Sequence, residues 1–285
     1  MPETRKQPLF RFAPSPTGYL HLGHAFSALF TWWHAARTGG TVLLRIEDID
    51  PQRCKPQFDE AILEDLDWLG LRWPEPVRRQ SAHQPLYQAA LDRLAPFTYP
   101  CFCSRKEINA EIARSVHAPH GPEGPLYPGT CRALSPAERA ARLAQGAPHA
   151  IRLDVAKAAA AAGRLHWQDV NQGSVAAEPG VLGDAILARK DVPMSYHLCV
   201  VVDDAAQRIS EITRGDDLYH ATHLHRLLQA LLDLPSPRYR FHPLMRNAAG
   251  ERLSKRDGAI ALRDLRAAGE RPEAIRSRLG FDRFP

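Results

Sequence analysis

Along the first hundred residues short apolar runs alternate with segments whose apolar positions recur at helical spacing, so the chain reads as strand, helix and strand in turn. A short apolar stretch, Leu9–Phe12, ends in the turn segment Ala13-Pro14-Ser15-Pro16-Thr17-Gly18. From Gly23 to Arg37 the residues Ala25, Phe26, Leu29, Phe30 and Trp33 recur at helical spacing. Gly39-Gly40 then stops the helix, and the apolar run Thr41–Ile46 reads as a second strand. This βαβ unit predicts parallel pairing, because two parallel strands need a crossover between them. Pro56 opens the next helix, with Phe58, Ile62, Leu66 and Leu69 on one stripe before Gly70, and Leu86–Leu94 gives a further short helix.

The pattern breaks at Tyr99. From there to about Gly183 the chain carries three cysteines, a Pro- and Gly-rich stretch between Pro119 and Gly129, and the alanine tract Ala156–Ala162, which is helical by propensity. After Ile186 the alternation resumes through Met194–Val202, a strand at Ile209–Thr213 and a helix at Asp217–Leu232 with Leu224, Leu227, Leu228 and Leu231 on one face. The expected architecture is an α/β parallel sheet split by an insertion. Residues 1–98 and 186–240 form its two halves, 99–185 the insertion, and 241–285 a C-terminal loop segment. No internal repeat is evident.

Composition narrows the class. The 285 residues are 44% hydrophobic and 24% charged, ordinary values for a globular protein. The N-terminal segment has no apolar signal core, and the densest apolar run, Leu198–Val202, is far too short to span a bilayer. Five cysteines, with Cys101 and Cys103 too close to bond each other comfortably, favour free or metal-bound thiols in a reducing, cytoplasmic compartment. Lys and Arg total 37 against 32 Asp and Glu, a formal charge of +5 that suits a polyanionic partner.

Two segments carry candidate chemistry. The first, Arg11 to His24, is a strand end, a turn and two histidines around a helix start. Unpaired N–H groups at that start can hold phosphate, Gly23 lets a nucleotide approach the backbone, and His21 and His24 can share a face. The second is the basic loop Glu251–Gly258, whose Lys255 could offset triphosphate charge. No Gly-x-Gly-x-x-Gly or Gly-x-x-x-x-Gly-Lys sequence occurs, which leaves dinucleotide and P-loop readings without their main support. His220, His223 and His225 lack metallohydrolase spacing and read as surface or packing residues, while Asp203-Asp204 reads as a turn or helix end.

Together these segments resemble the class I aminoacyl-tRNA synthetases. His21–His24 stands at the HIGH motif and Arg252–Arg256 at the KMSKS loop, with Arg252 in place of the first lysine. Arg11–Ser15, Arg45–Asp50 and Ile212–Leu218 resemble the glutamyl group more narrowly. The resemblance implies a Rossmann-type catalytic sheet and ATP-dependent activation of L-glutamate. In it Arg11 pairs with a glutamate carboxylate, Ala13 and Ser15 line the site, Glu47 accepts the ammonium, and Tyr196 and Arg214 complete the amino-acid contacts. His21, Gly23 and His24 would meet ATP, Lys255 would stabilise departing pyrophosphate, and magnesium would accompany the triphosphate.

Cys101, Cys103 and Cys131 supply three thiolates toward a tetrahedral zinc site, with His117 and His120 open as a fourth ligand from the residues alone. The Tyr-x-x-x-Cys spacing resembles the small glutamyl synthetase-like proteins, which implies Tyr127 in that place and one structural zinc ion. Only 29 residues follow Arg256, so no anticodon-binding domain is expected. Length, zinc pattern and Val200 in place of an asparagine resemble the glutamyl-queuosine tRNA(Asp) synthetase family. The implied partner is the anticodon stem-loop of tRNA(Asp) carrying queuosine, met by a monomer with no membrane contact. Arg105, Lys106, Arg114, Arg132 and Arg263 are candidate phosphate contacts.

Overall fold

In the computed structural model, residues 7–114, 120–122, 124–192, 194–245 and 260–282 are described. Strand β1 (Leu9–Phe12) runs through the predicted turn into helix α1 (Leu22–Thr38), which returns the chain to β2 (Thr41–Ile46). β1 and β2 pair in parallel, Leu9 opposite Thr41 and Phe12 opposite Leu44. Gly39 ends α1 in the left-handed region at φ 65°, a conformation that glycine reaches without steric penalty. Helix α2 (Pro56–Trp68) then leads to the short β3 (Arg78–Arg79), parallel to β2, and α3 (Gln84–Arg93) follows.

The next segment holds β4 (Thr98–Cys101), α4 (Arg105–Arg114), a small hairpin of β5 (His120–Gly121) and β6 (Gly124–Pro125), and α5 (Pro136–Ala144). After it come β7 (Ala150–Leu153), α6 (Val155–Ala162), β8 (His166–Asp169), β9 (Gly173–Ala176) and β10 (Ile186–Ala188). The catalytic half resumes with α7 (Tyr196–Ala206), β11 (Glu211–Gly215), α8 (Tyr219–Leu231) and β12 (Arg238–His242), and ends in α9 (Leu262–Ala267) and α10 (Pro272–Arg278).

β11, β12 and β8 are parallel, with β9 antiparallel at their edge, and β1 lies beside β11. The Ser210 N–H donates to the Leu9 carbonyl at 2.9 Å where the two sets of strands meet. The segments either side of the insertion therefore form one α/β core, as the βαβ pattern predicts. Helices α1 and α2 cover it together with Leu262, Leu265, Ile275 and Leu279 of α9 and α10 and the residues that follow. A second apolar cluster joins α3, α6, α7 and α8, and includes Val200.

Strand pairing crosses the boundaries that the composition predicts. β8 lies inside 99–185, yet it pairs with β12 and buries Trp167 against Ile212 and Tyr239. β10 lies beyond residue 185 and pairs with β7, which also pairs with β4. The physical reason is the single large apolar side chain of β8, which finds its cover on the catalytic sheet rather than among the Pro- and Gly-rich loops. Among the described residues no helix is long and apolar enough to cross a membrane.

Candidate functional site

The carboxyl ends of β1 and β11 and the N-terminus of α1 converge on a cavity of about 690 Å³. Its walls include Arg11, Ala13, Ser15, His21, Gly23, His24, Glu47, Tyr196 and Arg214, so the structure brings together every described residue expected at the amino-acid and nucleotide sites. Lys255 and Arg252 lie outside the described residues. A second cavity, about 530 Å³, adjoins the first and shares Ser15, Thr17, Glu47 and Tyr196 with it. It extends between the catalytic half and the insertion, past Arg152, Asp184, Arg189 and His197.

At the head of α1 the backbone is capped by its own histidines. His21 is the N-cap, and its Nδ1 accepts from the Gly23 N–H at 3.1 Å. His24 Nδ1 accepts from the His21 N–H at 3.2 Å, and the two rings stand 3.9 Å apart. A side chain built on Gly23 would come within about 3.0 Å of the His21 ring, so glycine keeps this corner open to a ligand.

The opposite wall is charged and buried. Arg11 Nε donates to Asp204 Oδ1 at 3.1 Å and its Nη1 to the Thr213 carbonyl at 3.2 Å. Arg45, with no exposed side-chain area, donates to the same Asp204 oxygen at 2.9 Å, to Glu47 at 3.3 Å and to Gln207 at 2.8 Å. Asp203, equally buried, accepts from Arg78, Gln80 and the Tyr87 hydroxyl at 2.8 to 3.0 Å. Burial pushes the Glu47 carboxyl up to about 7, outweighing the opposite pull of Arg45 and Arg11.

Arg214 stacks over the Tyr239 ring at 4.7 Å and directs Nη1 at His225 Nδ1, 3.2 Å away. Its Nε and Nη2 are buried without a hydrogen-bond partner among the described residues. A guanidinium held with part of its donor set unused is suited to a carboxylate, which accepts two parallel N–H bonds.

Sequence reasoning missed the acidic half of this wall. Asp203-Asp204 does sit in the last turns of α7, at a helix end as expected, but both residues are buried anchors for arginines of β1, β2 and β3. The available signal was the adjacency of two acids to the apolar run Leu198–Val202, on a helix that must be buried. His223 packs as read and accepts from the Glu178 N–H at 3.0 Å, whereas the buried His225 makes polar contacts with Arg214 and His197 that its spacing did not announce.

About the insertion's first strand, the Sγ atoms of Cys101, Cys103 and Cys131 all lie within 4.8 Å of one another. The Tyr127 hydroxyl joins them, 3.4 Å from the Cys101 sulfur and 3.7 Å from that of Cys103. The Cys131 N–H donates to Tyr127 Oη at 2.9 Å, and the Phe102 N–H to the Cys131 sulfur at 3.3 Å. Hydrogen bonds from Cys103 and the Phe102 N–H, among others, outweigh burial and lower the Cys131 thiol below its ordinary range. Three close sulfurs and one oxygen form a donor set that could hold a metal ion. The side chains of His117 and His120 lie outside the described set.

Of the candidate phosphate contacts, Arg105 and Lys106 are exposed, Arg132 pairs with Asp184 at 2.8 Å, and Arg263 stacks over Tyr19 at 4.4 Å.

The parallel sheet thus carries a helix-start histidine pair and a buried arginine set at its carboxyl edge. Residues 9–282 match the family model for class I tRNA synthetases (E and Q), catalytic domain, and the chain belongs to that family of ligases. Among its relatives are glutamyl-Q tRNA(Asp) synthetases. That of Rhodobacter capsulatus is 47% identical over 279 residues, which cover 95% of this chain and 99% of the relative. That of Nocardia farcinica is 45% identical over 267 residues, covering 93% and 81%. A solved glutamate tRNA ligase from Elizabethkingia meningosepticum, in complex with its amino acid, superposes with a TM-score of 0.71 at 28% identity. The match takes in 89% of this chain and 53% of that one.

Proposed function

We propose that this ligase activates L-glutamate with ATP, without tRNA, and transfers the glutamyl group to queuosine in the anticodon of tRNA(Asp). The observation that carries the proposal is the joint placement of Arg11, Glu47, Tyr196 and Arg214 with His21, Gly23 and His24 around one cavity. The names of the similar proteins from R. capsulatus and N. farcinica support the acceptor.

In the first step a glutamate carboxylate oxygen attacks the α-phosphorus of ATP, the bond to the β-phosphate bridging oxygen breaks, and pyrophosphate leaves. Arg11 and Arg214 hold glutamate carboxylates by charge-assisted hydrogen bonds, Ala13, Ser15 and Tyr196 line the amino-acid site, and ionised Glu47 accepts the ammonium. His21 and His24 at the start of α1 contact phosphates beside Gly23, and Lys255 steadies the pyrophosphate. Magnesium on the triphosphate would offset part of its charge. In the second step a hydroxyl of the queuosine cyclopentenediol attacks the activated carbonyl, loses its proton, and releases AMP. The adjoining cavity, which shares Glu47 and Tyr196 with the first, is the place for that nucleoside. Zinc held by Cys101, Cys103, Tyr127 and Cys131 would supply a structural cross-link in the insertion.

Labelled glutamate offered to queuosine-containing and queuosine-free tRNA(Asp) tests this reading. Transfer confined to the queuosine RNA, with glutamate-dependent ATP–pyrophosphate exchange in the absence of RNA, is expected. Equal transfer released as a 3′-terminal ester would instead establish a glutamate–tRNA ligase, and absence of exchange in intact, zinc-loaded protein would support a silent RNA-binding module.

A further inference from the structure

Two histidines outside the expected site lie end to end behind Arg214. Arg214 Nη1 is 3.2 Å from His225 Nδ1, and His225 Nε2 is 3.1 Å from His197 Nδ1. A guanidinium has donors only, so His225 Nδ1 must be the acceptor and its proton must reside on Nε2. That Nε2–H then donates to His197 Nδ1, which leaves the proton of His197 on its own Nε2. One permanent cation therefore orders the protons of both rings. Neutrality of the rings agrees with their surroundings. Burial first and Arg214 second lower His197 to about 4 and His225 well below its ordinary value. Arg214 lines the larger cavity and His197 the smaller, so the chain spans the wall between them.

We infer that His225 is a positioning residue for Arg214, acting as one acceptor in a hydrogen-bond chain of fixed direction that runs from Arg214 through His225 to His197. The inference rests on the proposed role of Arg214 at the glutamate carboxylate only for its kinetic consequence. Without the Nδ1 acceptor, the Arg214 side chain keeps its stacking on Tyr239 but loses the contact that selects its rotation about that ring. The loss falls on glutamate binding rather than on the phosphoryl step.

Nitrogen-15 NMR of the wild-type protein with labelled histidine, near neutral pH, reads the chain directly. Both rings should be neutral and protonated at Nε2; an Nδ1–H tautomer or an imidazolium at either position overturns the chain. This measurement holds whatever the enzyme's substrate. The kinetic arm uses ATP–pyrophosphate exchange with glutamate. His225→Phe should raise the KM for glutamate about tenfold, the scale of one hydrogen bond to a charged group, with kcat changed by about twofold or less. His225→Asn places an amide oxygen near the former Nδ1 and should recover most of that loss. A fall in kcat with unchanged KM, or equal loss in both variants, overturns the positioning role. Failure of the wild type to exchange would overturn the proposed function instead, leaving the tautomer result to decide the chain.

Discussion

The arginine-lined cavity and the thiol cluster are both built from polar groups under cover, yet they are assembled at opposite ranges. Arg11 and Asp204 are 193 positions apart and Arg45 and Asp204 are 159, whereas Cys103 and Cys131 are separated by 28. The cavity wall exists only after β1, β2, β3 and α7 have come together, and its charges are satisfied by one another. The thiol cluster is nearly local, and its four donors have little apolar cover beyond Tyr99, Phe102 and Leu134. The first site is therefore a product of the fold, whereas the second is suited to be completed by an ion.

Asp203→Ala tests whether the charged wall holds together as one unit. It leaves Arg78, Gln80 and Tyr87 without their shared acceptor, at a cost of about 3–5 kcal/mol for an uncompensated buried charge. Thermal unfolding should fall by on the order of 10 °C. A cost below about 1 kcal/mol would mean that the wall is not one unit.

A smaller and more local effect is expected at the cluster. With the proposed zinc in place, chelation, or Cys131→Ser, should release about one ion per chain and expose the segment around Cys101–Cys131 to protease, with less change in global melting than Asp203→Ala produces. Metal analysis and limited proteolysis check this. Global unfolding on chelation would place the two sites in one cooperative unit.

The pH dependence of the cavity gives a third, smaller effect. Because burial raises Glu47 from 4.5 to about 7, its contribution to folding is fully present below 4.5 and is lost as pH rises through about 7. In the proposed mode glutamate binding runs the other way, since the substrate ammonium would need the carboxylate. With Glu47 as the controlling group, kcat/KM for glutamate in the exchange assay should rise about tenfold per pH unit below 7 and then level off. A flat profile from pH ~6 to ~8 would remove Glu47 from that role.

The smallest expected effect separates distance from burial. Arg72 and Asp67 approach to 2.6 Å, closer than Arg45 and Asp204 at 2.9 Å, but both side chains are about two-thirds exposed. Asp67→Ala should shift stability by about 0–1 kcal/mol in denaturant unfolding.

How far the sequence could be read follows the same division of range. The βαβ start was legible because the apolar runs Leu9–Phe12 and Thr41–Ile46 and the helical spacing after Gly23 are each local signals, and the strands form at those bounds. The alanine tract likewise forms a helix, Val155–Ala162, where propensity predicted one. The helix after β11 starts at Tyr219 rather than Asp217, because Asp216–Leu218 tighten into a 3₁₀ turn. Arg11, Glu47 and Arg214 entered through a resemblance of short motifs, and their convergence on one cavity required the fold. Asp203 and Asp204 show why the rest was hidden. Nothing within a few residues of them announces that three strands will each deliver an arginine.

The crossed pairing of β8 and β10 bears on how this chain can be taken apart. An insertion whose entry and exit lie side by side can be excised or exchanged as a cassette. Here removal of 99–185 would strip β8 and Trp167 from the catalytic sheet and leave β10 without β7 beside it. The piece that carries the thiols is thus laced into the catalytic half twice. A graft that keeps both pairings must move β4, β7 and β10 together and leave β8 with β12, which no single excision at the expected boundaries achieves.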